Sequence, residues 1–277
     1  LQQTAIVALV IPDMADPLHG QVASGFEQVI TDHARKVIVA CSGHDPARER
    51  DAIESVVAHR VAGIAVLGSV IRHDDVLAVA GSTPCVFINP ENVAYARDPG
   101  THPPGTICSD DASGMAQLVD HLVERGYRRI AYVPGPDLAS NIGRRDPLAA
   151  AVRAAGLDDL IVVDSSDDWR DPVRSARSVR RAAPDAVVCY DDKLAIGLIS
   201  ALRADGVDIP GELAVTGFDG IPFAGLLQPS LTTVAQPSSE LGRRAASSLL
   251  AAIDGVDGAP AEVLAVELVV GESTPPR

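Results

Sequence analysis

Lysine is nearly absent from this chain, at Lys36 and Lys193 only, so its basic charge is almost entirely arginine. Acidic residues outnumber basic ones, 37 against 23, giving a formal net charge of −14. A surface of that sign repels phosphate backbones, which excludes nucleic-acid binding by this chain alone. Aromatic residues make up 3% of the sequence against 47% hydrophobic residues, so the core must be aliphatic. No apolar run approaches the ~18 residues that a membrane-spanning helix needs, and no charged, apolar, small-residue leader opens the sequence. No membrane association and a cytoplasmic location are therefore expected. Cysteine is sparse: Cys41, Cys85, Cys108 and Cys189 each sit in an apolar, strand-like run, with no C-x-x-C pair and no histidine at ligand spacing. They read as small buried thiols in a reducing compartment rather than as disulfides or metal ligands.

Catalytic signatures are missing as well. There is no G-x-G-x-x-G after a strand, no phosphate-cradling G-x-x-x-x-G-K-[ST], no H-E-x-x-H and no G-x-S-x-G nucleophile elbow. The acid pairs Asp110/Asp111, Asp167/Asp168 and Asp191/Asp192 fall at strand ends or helix starts, where capping a helix dipole explains them. No nucleophile and base recur at a fixed spacing. Polar residues converging on strand ends suit binding better than catalysis, so no enzyme activity and no cofactor or metal are expected.

What is present is an alternation. Short apolar runs at residues 5–11, 37–41, 63–67, 85–88 and 106–108 are separated by helical-period segments at 18–34, 46–60, 74–80 and 112–125. That is the β-α-β signature of a parallel sheet. Residues 94–105, rich in Pro and Gly, read as an exposed excursion. The chain then restarts: IAYVPGPDLAS at 130–140 echoes VALVIPDMAD at 7–16. Strands at 160–163, 186–190 and 213–218 and helices at 144–155, 172–181 and 193–205 complete a second α/β unit. Length permits two such units. The stretch GFDGIPFAGLLQPSLTTVAQP, residues 217–237, combines a strand ending at Asp219, a turn and a second strand. Since ligands bind beyond the carboxyl ends of strands in open α/β sheets, Asp219 is a prime candidate contact. A helix at 239–253 and a final strand at 263–270 follow.

Residues 217–237, continued by SSELGRRAASSLL and ended by ELVVGEST, resemble the effector-binding core of the lactose-repressor (LacI/GalR) family of bacterial transcription regulators. IPDMADP at 11–17, DPARERDAIESVVAHRVAGIAV at 45–66, HLVERGYRRIAYVPGP at 121–136 and YDDKLAIGLISALRADGVDIPGELAVTGFD at 190–219 extend the likeness over essentially the whole chain. The resemblance implies two doubly wound parallel-sheet subdomains, like those of type I periplasmic binding proteins, with a ligand cleft between them and three crossovers. These are expected near Gly126, near Gln236 and Pro237, and near Pro260, dividing the chain into residues 1–126 with 237–259 and residues 127–236 with 260–277. It also implies a small-molecule effector, a sugar or related polar metabolite; a homodimer; and operator DNA engaged through an amino-terminal helix-turn-helix head that is not in this chain. An exported solute-binding protein of a sugar transporter shares the fold and stands as the alternative.

Carried over by position, the resemblance selects the site residues. Arg144, four residues after Ser140, offers a guanidinium fork for hydroxyls or a carboxylate. Asp219 accepts hydroxyl protons. Asp191 stands where the family usually has Asn, which removes a donor and favours a donor-rich ligand. Trp169 falls where some sugar-responsive members carry an aromatic platform. Asp16, Leu18 and His19 replace parts of an Asn-Pro-Phe-Phe segment, exchanging an apolar wall for a polar one. Asp110 and Gln236 complete the set.

Overall fold

The central strands of the first unit, at residues 6–11, 64–67 and 85–88, are apolar because both of their faces are covered. The computed structural model describes residues 5–96, 102–163, 171–256 and 260–277. Its first elements are β1 (Ile6–Ile11), α1 (Pro17–Asp32), β2 (Lys36–Cys41), α2 (Pro46–Ala58), β3 (Ile64–Leu67), α3 (His73–Ala80), β4 (Cys85–Ile88), the short α4 (Val93–Ala96) and β5 (Thr106–Ser109). Within β1, Val7, Leu9 and Ile11 face one cluster and Ala8 and Val10 face another, the period-2 alternation of a strand. Pro46 opens α2 and Asp45 caps it, its Oδ1 accepting the N–H groups of Ala47 and Arg48 at 2.9 Å each. Both follow from helix-start chemistry: proline lacks only an N–H that would have no partner there, and the aspartate side chain supplies an acceptor for the N–H groups of the first turn.

The second unit runs α5 (Asp111–Glu124), β6 (Ile130–Val133), α6 (Ala139–Ala154), β7 (Ile161–Val162), α7 (Pro172–Ala182), β8 (Ala186–Cys189), α8 (Asp192–Ala204), β9 (Ala214–Asp219), a 3-10 turn at Ala224–Leu226 and β10 (Thr232–Ala235). The chain then forms α9 (Ser238–Ile253), β11 (Glu262–Leu264) and β12 (Glu267–Val269). Among the described residues two six-stranded sheets result, ordered β11-β5-β4-β3-β1-β2 and β12-β10-β9-β8-β6-β7. All pairings are parallel except β10 with β12. The fold class is therefore α/β with two parallel-dominated sheets.

The chain divides into residues 1–109 with 237–264 and residues 110–236 with 265–277. The chain passes between units at Ser109–Asp110, Gln236–Pro237 and Leu264–Ala265, where the sequence suggested Gly126, Gln236 and Pro237, and Pro260. The expected break near Gly126 moves to between Ser109 and Asp110, because α5 lays Met115, Leu118, Val119 and Leu122 into the second unit's core. Gly126, with φ +93°, instead terminates that helix. The expected single strand at 263–270 is two strands. β11 pairs parallel with β5 and β12 pairs antiparallel with β10, so one short stretch supplies an edge strand to each sheet.

The cysteines also depart from expectation. Cys108 and Cys189 are buried and Cys85 is half-buried, but Cys41 ends the edge strand β2 and is exposed. Burial pushes the Cys85 thiol up to about 12, out of the range where thiolates react. Ellman titration of the native protein at pH 8 is expected to show one fast thiol, Cys41, with the rest reacting only in denaturant. A Cys41→Ser variant that keeps the fast phase would show that another cysteine is accessible.

Candidate functional site

At the carboxyl ends of β8, β9 and β10, the second unit gathers charged side chains around one guanidinium. Arg144 lies in α6, which begins at Ala139, a full turn earlier than the helical period suggested. It is buried, and its fork is fully directed. Nε donates to Asp111 Oδ2 at 2.9 Å, Nη1 to the Tyr190 carbonyl at 2.7 Å and Nη2 to Asp219 Oδ1 at 3.2 Å. Its Cζ stands 3.9 Å from the Phe218 ring centroid and 4.8 Å from that of Tyr190, an arrangement in which the ring faces attract the cation. Burial works against the guanidinium's charge, but Asp111 and Asp219 outweigh it and raise the pKa well above its ordinary value.

Asp219 is the last residue of β9, with φ +104°, a left-handed conformation that L-residues rarely hold. Such strain costs roughly 1–3 kcal/mol and persists only where surrounding contacts impose it. Here they do: Gln236 Nε2 donates to Asp219 Oδ1 at 2.7 Å, and the Gln236 amide donates to its carbonyl at 3.2 Å. Gly220 must be glycine, since a Cβ there would lie 2.6 Å from Ala235 Cα and its φ is +68°.

The other candidates divide by role. Ser140 Oγ is 2.7 Å from the Tyr190 hydroxyl, beside the cluster. Asp191 caps α8, accepting the Leu194 N–H at 2.7 Å, and its second oxygen lies 3.7 Å from Lys193 Nζ. Asp110 caps α5 through the Ser113 N–H at 3.0 Å. In the first unit, Asp16 caps α1 by accepting the Leu18 N–H at 2.9 Å, and Leu18 itself is buried. His19 is buried, with Nδ1 2.9 Å from the Asp13 carbonyl oxygen, so one ring nitrogen is committed to its own loop. Trp169 lies outside the described residues.

Thus Ser140, Arg144, Asp219 and Gln236 come together, while Asp110, Asp191 and Asp16 are fixed as helix caps. Sequence reasoning missed Asp111, Tyr190 and Phe218. Asp111 was visible only as half of an acid pair. Tyr190 directly precedes another acid pair, and Phe218 directly precedes Asp219.

Residues 119–274 match the periplasmic binding protein-like domain. The chain belongs to that family. Along most of its length this periplasmic binding protein-like chain is similar to transcription regulators. It is 29% identical over 260 residues to the HTH-type transcriptional regulator GalR of Escherichia coli K12, covering 91% of this chain and 74% of that protein. It is 26% identical over 247 residues to catabolite control protein A of Staphylococcus xylosus, covering 87% of this chain and 72% of that protein. Among solved structures, a periplasmic binding protein/LacI transcriptional regulator from Alkaliphilus metalliredigens QYMF, complexed with D-xylulofuranose, superposes with a TM-score of 0.82. That pair is 26% identical, and the match covers 98% of this chain and 99% of the other. This periplasmic binding protein-like chain is thus an effector-binding core of the LacI/GalR regulator type.

Proposed function

We propose that this core senses a neutral, hydroxyl-rich metabolite of the sugar class in the cytoplasm, without catalysing a reaction, and that it works as a homodimer coupled to operator DNA through an attached head. The observation that carries the reading is the state of Arg144. Its charge is already balanced by Asp111 and Asp219, so the cluster offers a ligand carboxylate oxygens and a hydroxyl, at Ser140, rather than an unbalanced cation. Acceptors of that kind suit hydroxyl donors and disfavour a phosphate or carboxylate. Asp16, Leu18 and His19 of the first unit and Asp110, Asp191 and Trp169 of the second are proposed as further contacts. The relative solved with D-xylulofuranose supports a carbohydrate, and the regulators among the relatives favour a sensor over a transporter's solute-binding protein. Among the described residues no helix is long and apolar enough to cross a membrane.

Calorimetry over neutral mono- and disaccharides, nucleosides and their phosphorylated counterparts tests this. Binding of an uncharged member is expected, with its phosphate ester at least tenfold weaker. Asp219→Asn is expected to weaken binding by about tenfold or more, because a hydrogen bond to a charged group is worth about 1.5–3 kcal/mol. Unchanged affinity in both Asp219→Asn and Ser140→Ala would remove the cluster from the site.

A further inference from the structure

One buried acid beside the cluster has no part in it so far. Asp192 is the first residue of α8 and is 0% exposed. Its Oδ2 accepts the Ile221 N–H at 2.8 Å, and its Oδ1 accepts the Thr233 hydroxyl at 2.6 Å. Gly217 lies directly beneath it, where a Cβ would stand 2.1 Å from Oδ1. A single carboxyl therefore ties the start of α8 to the turn after β9 and to β10. Asp219 lies two residues before the tied turn residue, and Gln236 lies three residues after the tied strand residue.

We propose that Asp192 is a positioning residue for the effector site: it holds the turn bearing Asp219 and the strand leading to Gln236 in register, and its hold depends on whether it carries a proton. This rests on reading the Arg144–Asp219–Gln236 cluster as the site. Burial pushes its carboxyl up to about 7, Asp191 adds to that, and the bonds from Thr233, Ile221 and Gly220 oppose it. The titratable and charged neighbours on the elements around it are Lys193 on α8 and Asp191 at its cap, Cys189 on β8, Tyr190 just after it, and Asp219 on β9 with its partner Arg144 from α6. The Cys189 thiol is itself raised by burial and by both aspartates.

The neutral acid keeps both contacts, with the Thr233 hydrogen bond reversed. Oδ1–H donates to Thr233, whose hydroxyl is donor and acceptor alike, while Oδ2 keeps the Ile221 N–H. The ionised form leaves a charge in a dry site. Because the closed clamp holds a pKa above the ordinary carboxylate value, opening it into water releases a proton between about pH 4 and 7. The clamp is therefore tightest in acid, loosens as pH rises towards about 7, and levels off above it. One proton sets a ceiling of about tenfold per pH unit.

The Gln236 side-chain amide, bonded to Asp219, reports on the clamp by NMR in the protein without effector. Its resonances are expected to titrate with a midpoint near pH 7. Hydrogen exchange of the Ile221 amide, corrected for intrinsic rate, should accelerate up to tenfold per unit from about pH 5 to 7. Asp192→Asn, which can donate to Thr233 and accept from Ile221, should abolish both pH dependences and stay closed at pH 8. Asp192→Ala should show fast Ile221 exchange throughout. A wild-type Gln236 amide that does not titrate, or a titration that persists in Asp192→Asn, overturns the proposal. Neither measurement uses an effector, so a failure of the Asp219→Asn calorimetry alone would count against the site reading and leave the clamp standing.

Discussion

Replacing Arg144 with alanine is expected to destabilise the second unit by about 3–5 kcal/mol, the range observed when one member of a buried ion pair is deleted. The loss arises mainly from what stays behind. Asp111 and Asp219 would face each other's charge in a site that now lacks its cation, and the Tyr190 carbonyl would lose its donor. The stacking on Phe218 and Tyr190 would go as well, adding about 1 kcal/mol. Arg144→Lys separates charge from geometry. An ammonium keeps the charge but cannot present three donors at the fixed angles that Asp111, Tyr190 and Asp219 require. Its stability should lie between wild type and alanine. Urea denaturation followed by circular dichroism reads both. An alanine variant within about 1 kcal/mol of wild type would mean that the three acceptors find water, and the fork is not the centre of this cluster.

The parts of this arrangement that the sequence disclosed are those set by burial. Parallel strands covered on both faces must be continuous apolar runs, so β1, β3, β4, β6, β8 and β9 stood out, and Asp219 stood out as the first charge after such a run. What it hid depends on direction rather than polarity. Asp110 and Asp111 are adjacent, yet Asp110 is the non-helical cap of α5 and Asp111 its first helical residue, so their side chains leave in different directions. The first therefore caps α5 and the second reaches Arg144. Composition cannot choose between them. The partition into units was hidden for a related reason. α5 carries an apolar stripe that would suit either sheet, and 262–269 alternates well enough to serve as an edge in both. Only the packing partner decides, and for β11 that partner, β5, lies more than a hundred residues away in sequence.

The second large effect concerns the helix that returns the chain to the first unit. α1 and α9 cross at two glycines: a Cβ on Gly25 would lie 2.0 Å from the Ser239 carbonyl oxygen, and one on Gly242 would lie 2.0 Å from that of Val22. Helix propensity alone favours Gly→Ala by about 1 kcal/mol. Here the obstacle is backbone, which cannot swing aside, so the helices must separate instead. Separation strips contacts from Val22, Phe26, Leu241 and Ala245, which close one face of the first sheet. Gly25→Ala and Gly242→Ala are each expected to cost about 1–3 kcal/mol or more, the overpacking range, opposite in sign to the propensity gain. Together they should cost less than the sum of the two, because either one already forces the same separation. The consequence reaches the proposed effector site, since α9 starts two residues after Gln236 and a displaced α9 pulls on the residue that steadies Asp219. Denaturation midpoints for both single variants and the double variant provide the test. An alanine at either position that matched or exceeded wild-type stability would show that α1 and α9 do not meet backbone to backbone.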